Sequence, residues 1–147
     1  MSPKKTLQSI SPTDLVYLIL GLTFDKHSLQ SIPRDYVYKG FEALSNRHPQ
    51  DFPDFYFVQR GTIPHSNELE DILFRLGGVM ECSNPGYQHM RFSNKSLEVV
   101  QKRFQRICSD TQIQNEIIKL VEEFFAVTQE LEEPEHASSL RTLPKRD

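Results

Sequence analysis

The segment from Ile63 to Phe92 constrains the fold of this sequence more than any other. Apolar residues recur there at helical spacing up to the glycine pair Gly77-Gly78, and glycine favours the left-handed turn that ends many helices. Two short runs with the composition of strands follow, Val79 to Cys82 and Tyr87 to Phe92, separated by residues typical of a tight turn. The sequence therefore predicts a short helix that leads directly into a β-hairpin.

Two helices are expected before this segment. In the first, Ser11, Pro12 and Asp14 supply an N-cap, a proline at the first helical position and an acid in the first turn. The run Leu15 to Leu22 that follows is apolar almost all round, which predicts a helix at the centre of the core. The second helix is expected from Pro33 to about Asn46.

The stretches on either side of that second helix are predicted to be irregular. Leu29 to Ile32 is expected to form a helical turn. Asp51 to Val58 alternates prolines and aromatic residues, which favours a loop leading into a short strand. The aromatic residues between Phe52 and Phe57 are expected to be exposed, and an exposed aromatic cluster would offer a surface to a partner.

Two more helices are expected after the hairpin, the first capped by Ser93 or Asn94 and the second by Asp110 or Thr111. In the last helix, apolar residues recur with alternating steps of four and three, which is a heptad pattern. These residues are Ile113, Ile117, Leu120, Phe124, Val127 and Leu131. They predict a helix over residues 111–133 that packs against the protein's own core, or against a second copy or another protein.

The 147 residues are 37% hydrophobic and 25% charged, which is an ordinary globular composition. A chain of this length accommodates one domain with a modest core. The expected fold class is mainly α, in an α+β arrangement with a short β-hairpin and a long C-terminal helix. We expect residues 1–10 to be flexible, residues 11–133 to form the domain, and the polar residues 134–147 to be a disordered tail.

Several locations and kinds of site are disfavoured by the sequence. No run reaches the roughly 18 apolar residues of a membrane span, and no signal-peptide pattern is present, so we expect a cytoplasmic protein that does not enter the membrane. Cys82 and Cys108 are expected to be free thiols. Together with His89 they are too few and too scattered for a zinc site, and no glycine loop for phosphates is present, so neither a metal nor a cofactor is expected.

Positive charge is concentrated in one stretch of a chain whose net charge is −3. Between His89 and Arg106 there is a single acid, Glu98. The side chains in this stretch that are expected to contact nucleic-acid phosphates are His89, Arg91, Lys95, Lys102, Arg103 and Arg106. Because phosphate neutralisation dominates nucleic-acid affinity, any DNA binding would depend on this one face.

The order of elements resembles that of small prokaryotic winged-helix proteins, including the YwgA-like and PadR-like groups. The residues that carry the resemblance are the run from Arg60 to Glu70, the Gly77-Gly78 stop and the strand from Tyr87 to Phe92. The resemblance covers Pro12 to Leu131. It implies a winged-helix-like domain in which the last helix supports formation of a dimer.

One departure from that pattern concerns the helix near residues 64–76, which would read the major groove. It carries Glu68, Glu70 and Asp71 against Arg75 alone, so DNA phosphates would repel it. We therefore expect a non-catalytic regulator of transcription that binds DNA through the hairpin and the helix after it. The alternative is a protein-interaction subunit or adaptor of a larger complex.

A second resemblance suggests an enzyme. Four residues separate Arg60 from His65, as in the catalytic pair of the HEPN ribonucleases, and the resemblance implies cleavage of RNA. Gly61 and Pro64 favour a loop and a helix start here, whereas the family places this pair in helical surroundings. Because of the Arg60–His65 spacing, an HEPN-like ribonuclease with these two catalytic residues is kept as the second alternative.

Overall fold

A computed structural model of the chain describes residues 7, 10–76, 80–83, 89–108, 110–131 and 141–142, without the side chains of residues 30, 80–83, 89–91 and 141–142. The described part is mainly helical, as expected. Its helices are α1 (Pro12–Lys26), α2 (Arg34–Arg47), α3 (Asn67–Arg75), α4 (Asn94–Ile107) and α5 (Thr111–Leu131). Its strands are β1 (Leu29–Pro33), β2 (Val58–Arg60), β3 (Ile63–His65), β4 (Met80–Ser83), β5 (His89–Phe92) and β6 (Arg141–Thr142).

Three helices begin at a serine whose hydroxyl oxygen accepts a hydrogen bond from a backbone N–H in the first turn. Ser11 accepts from the N–H of Asp14 at 3.2 Å, and Ser66 accepts from the N–H of Leu69 at 3.2 Å. Ser93 caps α4 in the same way and accepts from the N–H of Ser96 at 3.1 Å. The capping residue predicted for α1 is therefore confirmed, and Ser93 is selected from the two candidates for α4.

Helix α1 lies at the centre of the core, since every residue from Leu15 to Phe24 is buried. Helix α5 packs against both α1 and α2. Helix α4 packs against α1, where Val100 is fully buried. Within the described residues, no helix combines the length and the apolar character that crossing a bilayer requires.

The predicted hairpin is confirmed as β4 and β5, an antiparallel pair with Met80 opposite Phe92. The helical turn predicted for Leu29 to Ile32 is wrong, because these residues belong to β1, which pairs antiparallel with β5. The described sheet has the order β4-β5-β1-β6. Ser28, with a φ of 52°, makes the left-handed turn that leads from α1 into β1.

A second, two-stranded sheet joins β2 to β3. Val58 pairs with His65 and Arg60 pairs with Ile63, and Gly61 turns between them at a φ of 64°. The sequence predicts only one short strand here. The helix start, expected between Pro64 and Asn67, falls at Asn67, directly after β3 and its capping residue Ser66. Residues 48–66 thus place a hairpin between α2 and α3.

A few residues at each end of the chain are described, and the flexible N-terminus and disordered tail stay predictions. Leu7 and Ile10 are buried in the core, although residues 1–10 are expected to be flexible. Arg141 and Thr142 form β6 on the edge of β1, although residues 134–147 are expected to be disordered. Gly77, Gly78 and the turn between β4 and β5 lie outside the described residues.

Candidate interaction surfaces

Helix α4 presents a row of exposed side chains that includes three of the predicted phosphate contacts. Lys95, Lys102 and Arg106 are exposed and are separated by seven and four residues, so they lie within one narrow arc of the helix. Val99 lies between them and is 45% exposed. We call Lys95, Val99, Lys102 and Arg106 the α4 stripe. It extends about 16 Å along the helix at 1.5 Å per residue.

Arg103, the neighbour of this stripe, is engaged within the protein. Its Nε and Nη2 atoms donate to Oδ1 of Asp14 at 3.0 and 2.8 Å. The pair joins the first turn of α1 to the third turn of α4. Its two partners are 89 residues apart in the sequence. Arg103 therefore has a partner inside the domain, and its contact with nucleic acid stays a prediction.

His89 and Arg91, the two remaining predicted phosphate contacts, belong to β5, where they pair with Ser83 and Glu81 of β4. Their side chains are outside the described part of the structure, so their contact with nucleic acid stays a prediction. Phe92, the next residue after Arg91, is buried.

The heptad residues of α5 do not form a free surface. Ile117 and Phe124 are fully buried, and Ile113, Leu120 and Val127 are at most 9% exposed. They are covered by α1 and α2, and the Phe124 ring lies 5.0 Å from that of Phe41 between centroids. Leu131, at the end of the helix, is half-buried. The predicted partner interface is therefore corrected: this face is the protein's own core.

Charged and polar residues at the ends of α1 and α2 also contact α5. Lys26 Nζ lies 2.6 Å from Oε1 of Glu122, and its hydrogen bond is the main reason why the pKa of Glu122 is lowered. His48 Nε2 lies 2.8 Å from Oε2 of Glu123, where Arg47 also approaches. Two of the acids that make this helix negative thus have partners inside the domain.

The outer side of α3 is acidic and carries an exposed aromatic residue. Asn67, Glu70, Asp71 and Phe74 are exposed, and each lies three or four residues from two of the others, so they form one face, which we call the α3 face. Phe74 is 87% exposed, the largest value among the exposed large hydrophobic residues. The opposite side of the helix, with Leu69 and the other apolar residues, is buried as predicted.

Phe74 is the surface residue that the sequence analysis missed, although the sequence contains a signal for it. Leu69, Ile72, Leu73 and Leu76 define the buried stripe of α3, and at 100° per residue Phe74 falls on the other side. A search for the buried stripe alone does not identify an aromatic residue on the other side of the helix.

The predicted aromatic surface between residues 52 and 57 is only partly present. Phe52 and Phe55 are buried, with 3% and 7% exposure; their rings contact each other at a tilt, and the Phe52 ring also meets that of Phe41 edge-on. Tyr56 is exposed, at 74%. Its backbone N–H donates to Oε1 of Glu68 at 3.0 Å, which ties this loop to the start of α3.

A polar cluster fixes the first turns of α3 against α2 and β3. His65 Nε2 lies 3.0 Å from Oε2 of Glu70, and its ring stacks on Tyr38 with 5.5 Å between centroids. Arg34 Nη2 donates to the Tyr38 hydroxyl at 3.1 Å and lies 3.8 Å from Glu70. Burial raises the pKa of Tyr38, against the hydrogen bond from Arg34 and the positive charges of Arg34 and Arg60. The cluster holds the α3 face in a fixed orientation.

The two residues proposed for ribonuclease activity lie on the strands of the β2–β3 hairpin. Arg60 is exposed, while His65 is paired with Glu70 and also lies 3.2 Å from Oδ1 of Asn67. The HEPN resemblance implies helical surroundings, which this hairpin does not supply. The contacts of His65 favour a structural role that joins β3 to α3.

Two further observations bear on function. Among the described residues, no three or more His, Cys, Asp or Glu side chains gather in a way that could hold a metal ion. No family model, curated protein or solved structure matches the chain. With neither a metal cluster among the described residues nor a matching protein, function is inferred from the α3 face and the α4 stripe.

Proposed function

We propose that this protein is a winged-helix-like interaction module that binds a protein partner through its α3 face. The observation that carries the proposal is Phe74, an aromatic side chain 87% exposed on the acidic outer side of a helix that is otherwise well packed. The partner is a protein segment that combines positive charge with an apolar side chain.

The winged-helix assignment is supported by the order of the elements. Helices α1, α2 and α3 come before the hairpin β4–β5, and β1, between α1 and α2, pairs with β5. A helix-turn-helix joins its two helices by a turn of about 3–4 residues. In this chain the connection between α2 and α3 is longer, because residues 48–66 include the β2–β3 hairpin. The helix pair therefore departs from a standard helix-turn-helix, and the support comes from the order of the elements alone.

The charge of α3 argues for a protein partner over DNA. Glu70 and Asp71 lie on its exposed side, so a helix inserted into a major groove would bring two carboxylates towards phosphates. Arg75 is the single basic residue of the helix. A basic protein segment would be attracted by the same charges.

The exposed phenyl ring supplies most of the expected affinity. Full burial of a Phe side chain contributes about 1.5–3 kcal/mol, whereas an exposed ion pair contributes about 0.2–1 kcal/mol. Binding should therefore depend mainly on Phe74, while Glu70 and Asp71 select the charge of the partner. An aromatic residue surrounded by polar groups is the usual composition of an interface hot spot.

A displayed library of random peptides about twelve residues long tests the proposal. Screened against the full chain, it is expected to enrich peptides in which Lys or Arg flanks an apolar residue. Phe74→Ser should weaken their binding about tenfold or more, since the hot-spot side chain is lost. Fluorescence anisotropy of a labelled peptide gives the dissociation constants.

Val58→Ser is the matched control, because Val58 is also an exposed apolar residue, at 58%, but lies on β2. It should leave peptide affinity unchanged. Enriched peptides that bind Phe74→Ser as tightly as the unmodified protein, or a library that yields no basic and apolar peptides, would overturn the proposal.

A second candidate function is DNA binding through the α4 stripe, favoured by the placement of Lys95, Lys102 and Arg106 within one arc of the helix. Such contacts would position the protein on phosphates without reading sequence. This candidate predicts that Lys102→Glu/Arg106→Glu abolishes a salt-sensitive gel shift with duplex DNA, while Lys119→Glu on α5 does not. Absence of any shift by the unmodified protein at low salt would remove it.

A further inference from the structure

We propose that the partner of the α3 face includes a second copy of this chain, which presents its α4 stripe. In the resulting two-fold dimer, α3 of each copy packs against α4 of the other. The inference rests on the proposed function and names its partner.

The two surfaces are complementary in charge. The α3 face carries Asp71 and also Glu70, which additionally contacts His65 and Arg34, and the α4 stripe carries Lys95, Lys102 and Arg106. Each helix has few charges of the opposite sign, since Arg75 is the single base of α3 and Glu98 is the single acid of α4. Opposite potentials on two exposed helices favour their association and set its orientation.

The two surfaces also match in the position of their apolar residues. Val99, 45% exposed, lies between Lys95 and Lys102, and Phe74, 87% exposed, lies one turn after Glu70. When Phe74 covers Val99 in an antiparallel pair of helices, Glu70 and Asp71 lie one turn further along, beside Lys102. Antiparallel packing also sets the two helix dipoles in a favourable arrangement.

Contact between the two surfaces has to form between molecules. Phe74 and Val99 both remain exposed in the described fold of a single chain, so its α3 and α4 do not cover each other. A two-fold arrangement makes the α3–α4 contact twice and leaves no copy of either surface unpaired. The α5 face, which the heptad pattern suggests as a dimer interface, is not used because it is buried.

Complementary charge reversal tests the dimer. Asp71→Lys places a positive charge on the α3 face where it meets Lys102, and Lys102→Glu/Arg106→Glu makes the α4 stripe negative; neither alters the paired residues Glu70 or Arg103. Each variant alone should dimerise about tenfold more weakly or worse, because both of its contacts bring like charges together. Mixed in equal amounts, the two variants should form a heterodimer, because both contacts then join opposite charges.

Sedimentation velocity of the full-length proteins distinguishes monomer from dimer at about 50 mM and about 500 mM salt. The unmodified dimer should be weaker at the higher salt concentration, because salt screens the charges. Circular dichroism confirms that each variant is folded. Phe74→Ser should be monomeric at both salt concentrations. An unmodified protein that is monomeric at low salt, variants that dimerise like it, or a mixture that stays monomeric would each overturn the dimer.

Peptide binding distinguishes this failure from failure of the proposed function. If basic and apolar peptides still bind through Phe74 while the chain stays monomeric, the α3 face is a docking surface and the second copy is not its partner. If peptide binding is indifferent to Phe74, the proposed function itself fails.

Discussion

Replacing Phe124 with alanine should lower the free energy of unfolding by about 3–5 kcal/mol, the usual loss for a fully buried phenyl ring. The side chain has 0% exposure and its ring lies 5.0 Å from that of Phe41 between centroids. It also fills the space over Gly40, where a methyl group would collide with the ring. Because the total stability of a domain is about 5–15 kcal/mol, this single cavity would remove a large share of it.

Urea denaturation followed by circular dichroism measures the loss, with an unchanged slope showing that the compactness of the native state is retained. Phe125→Ala is the matched control, since Phe125 is half-buried and stacks on His27 with 3.6 Å between centroids. Its loss should be smaller, about 1–2 kcal/mol. A loss below about 1 kcal/mol for Phe124→Ala would contradict the packing of α5 on α2 and reopen the heptad face as a partner interface.

The sequence predicts the existence of α5 but not what covers it. A heptad step of four and three residues produces the same stripe whether the neighbour is the protein's own core or another chain. Val121, which widens the stripe, is fully buried and favours the internal neighbour. Which helix lies opposite depends on the packing of α1 and α2, and that information is spread along the chain.

Strand β1 shows a different reason for an error. Leu29 to Ile32 is too short for periodicity to separate a strand from a helical turn. Its conformation is decided by pairing with β5, where Ile32 lies opposite Met90 far along the sequence. The hairpin β4–β5 is predictable because its two strands are neighbours in the sequence and are separated by turn residues.

For the candidate surfaces too, local spacing is predictable from the sequence and contacts between distant elements are not. The spacing of Lys95, Lys102 and Arg106 places them on one side of α4 from sequence alone. The spacing does not indicate that Arg103 is held by Asp14, because that contact depends on how α4 crosses α1. Exposure of Phe74 follows from its position opposite the buried stripe of α3, so the main element of the proposed docking surface was accessible from the sequence.

Replacing Gly21 with alanine should destabilise the protein, although the same change at an exposed helical position stabilises by about 0.5–1 kcal/mol. A Cβ atom at Gly21 would lie 2.5 Å from Cγ2 and 2.8 Å from Cγ1 of Val100, which is itself fully buried. The two methyl groups of Val100 have no room to move away, because Val100 is enclosed in the packed core. Overpacking costs about 1–3 kcal/mol, so the net effect is a loss of stability.

A double-mutant cycle with Val100→Ala tests whether this contact is the cause. Removing the two methyl groups of Val100 gives the new Cβ most of the space it needs, so the double variant should lose less than the sum of the single losses, with a coupling energy of about 0.5–3 kcal/mol. Asn46→Ala, at an exposed position near the end of α2, should change stability by less than about 0.5 kcal/mol. Additive losses would mean that α1 and α4 are not in contact at Gly21. The α4 stripe would then lack the packing that, together with the Asp14–Arg103 pair, fixes its direction relative to the α3 face.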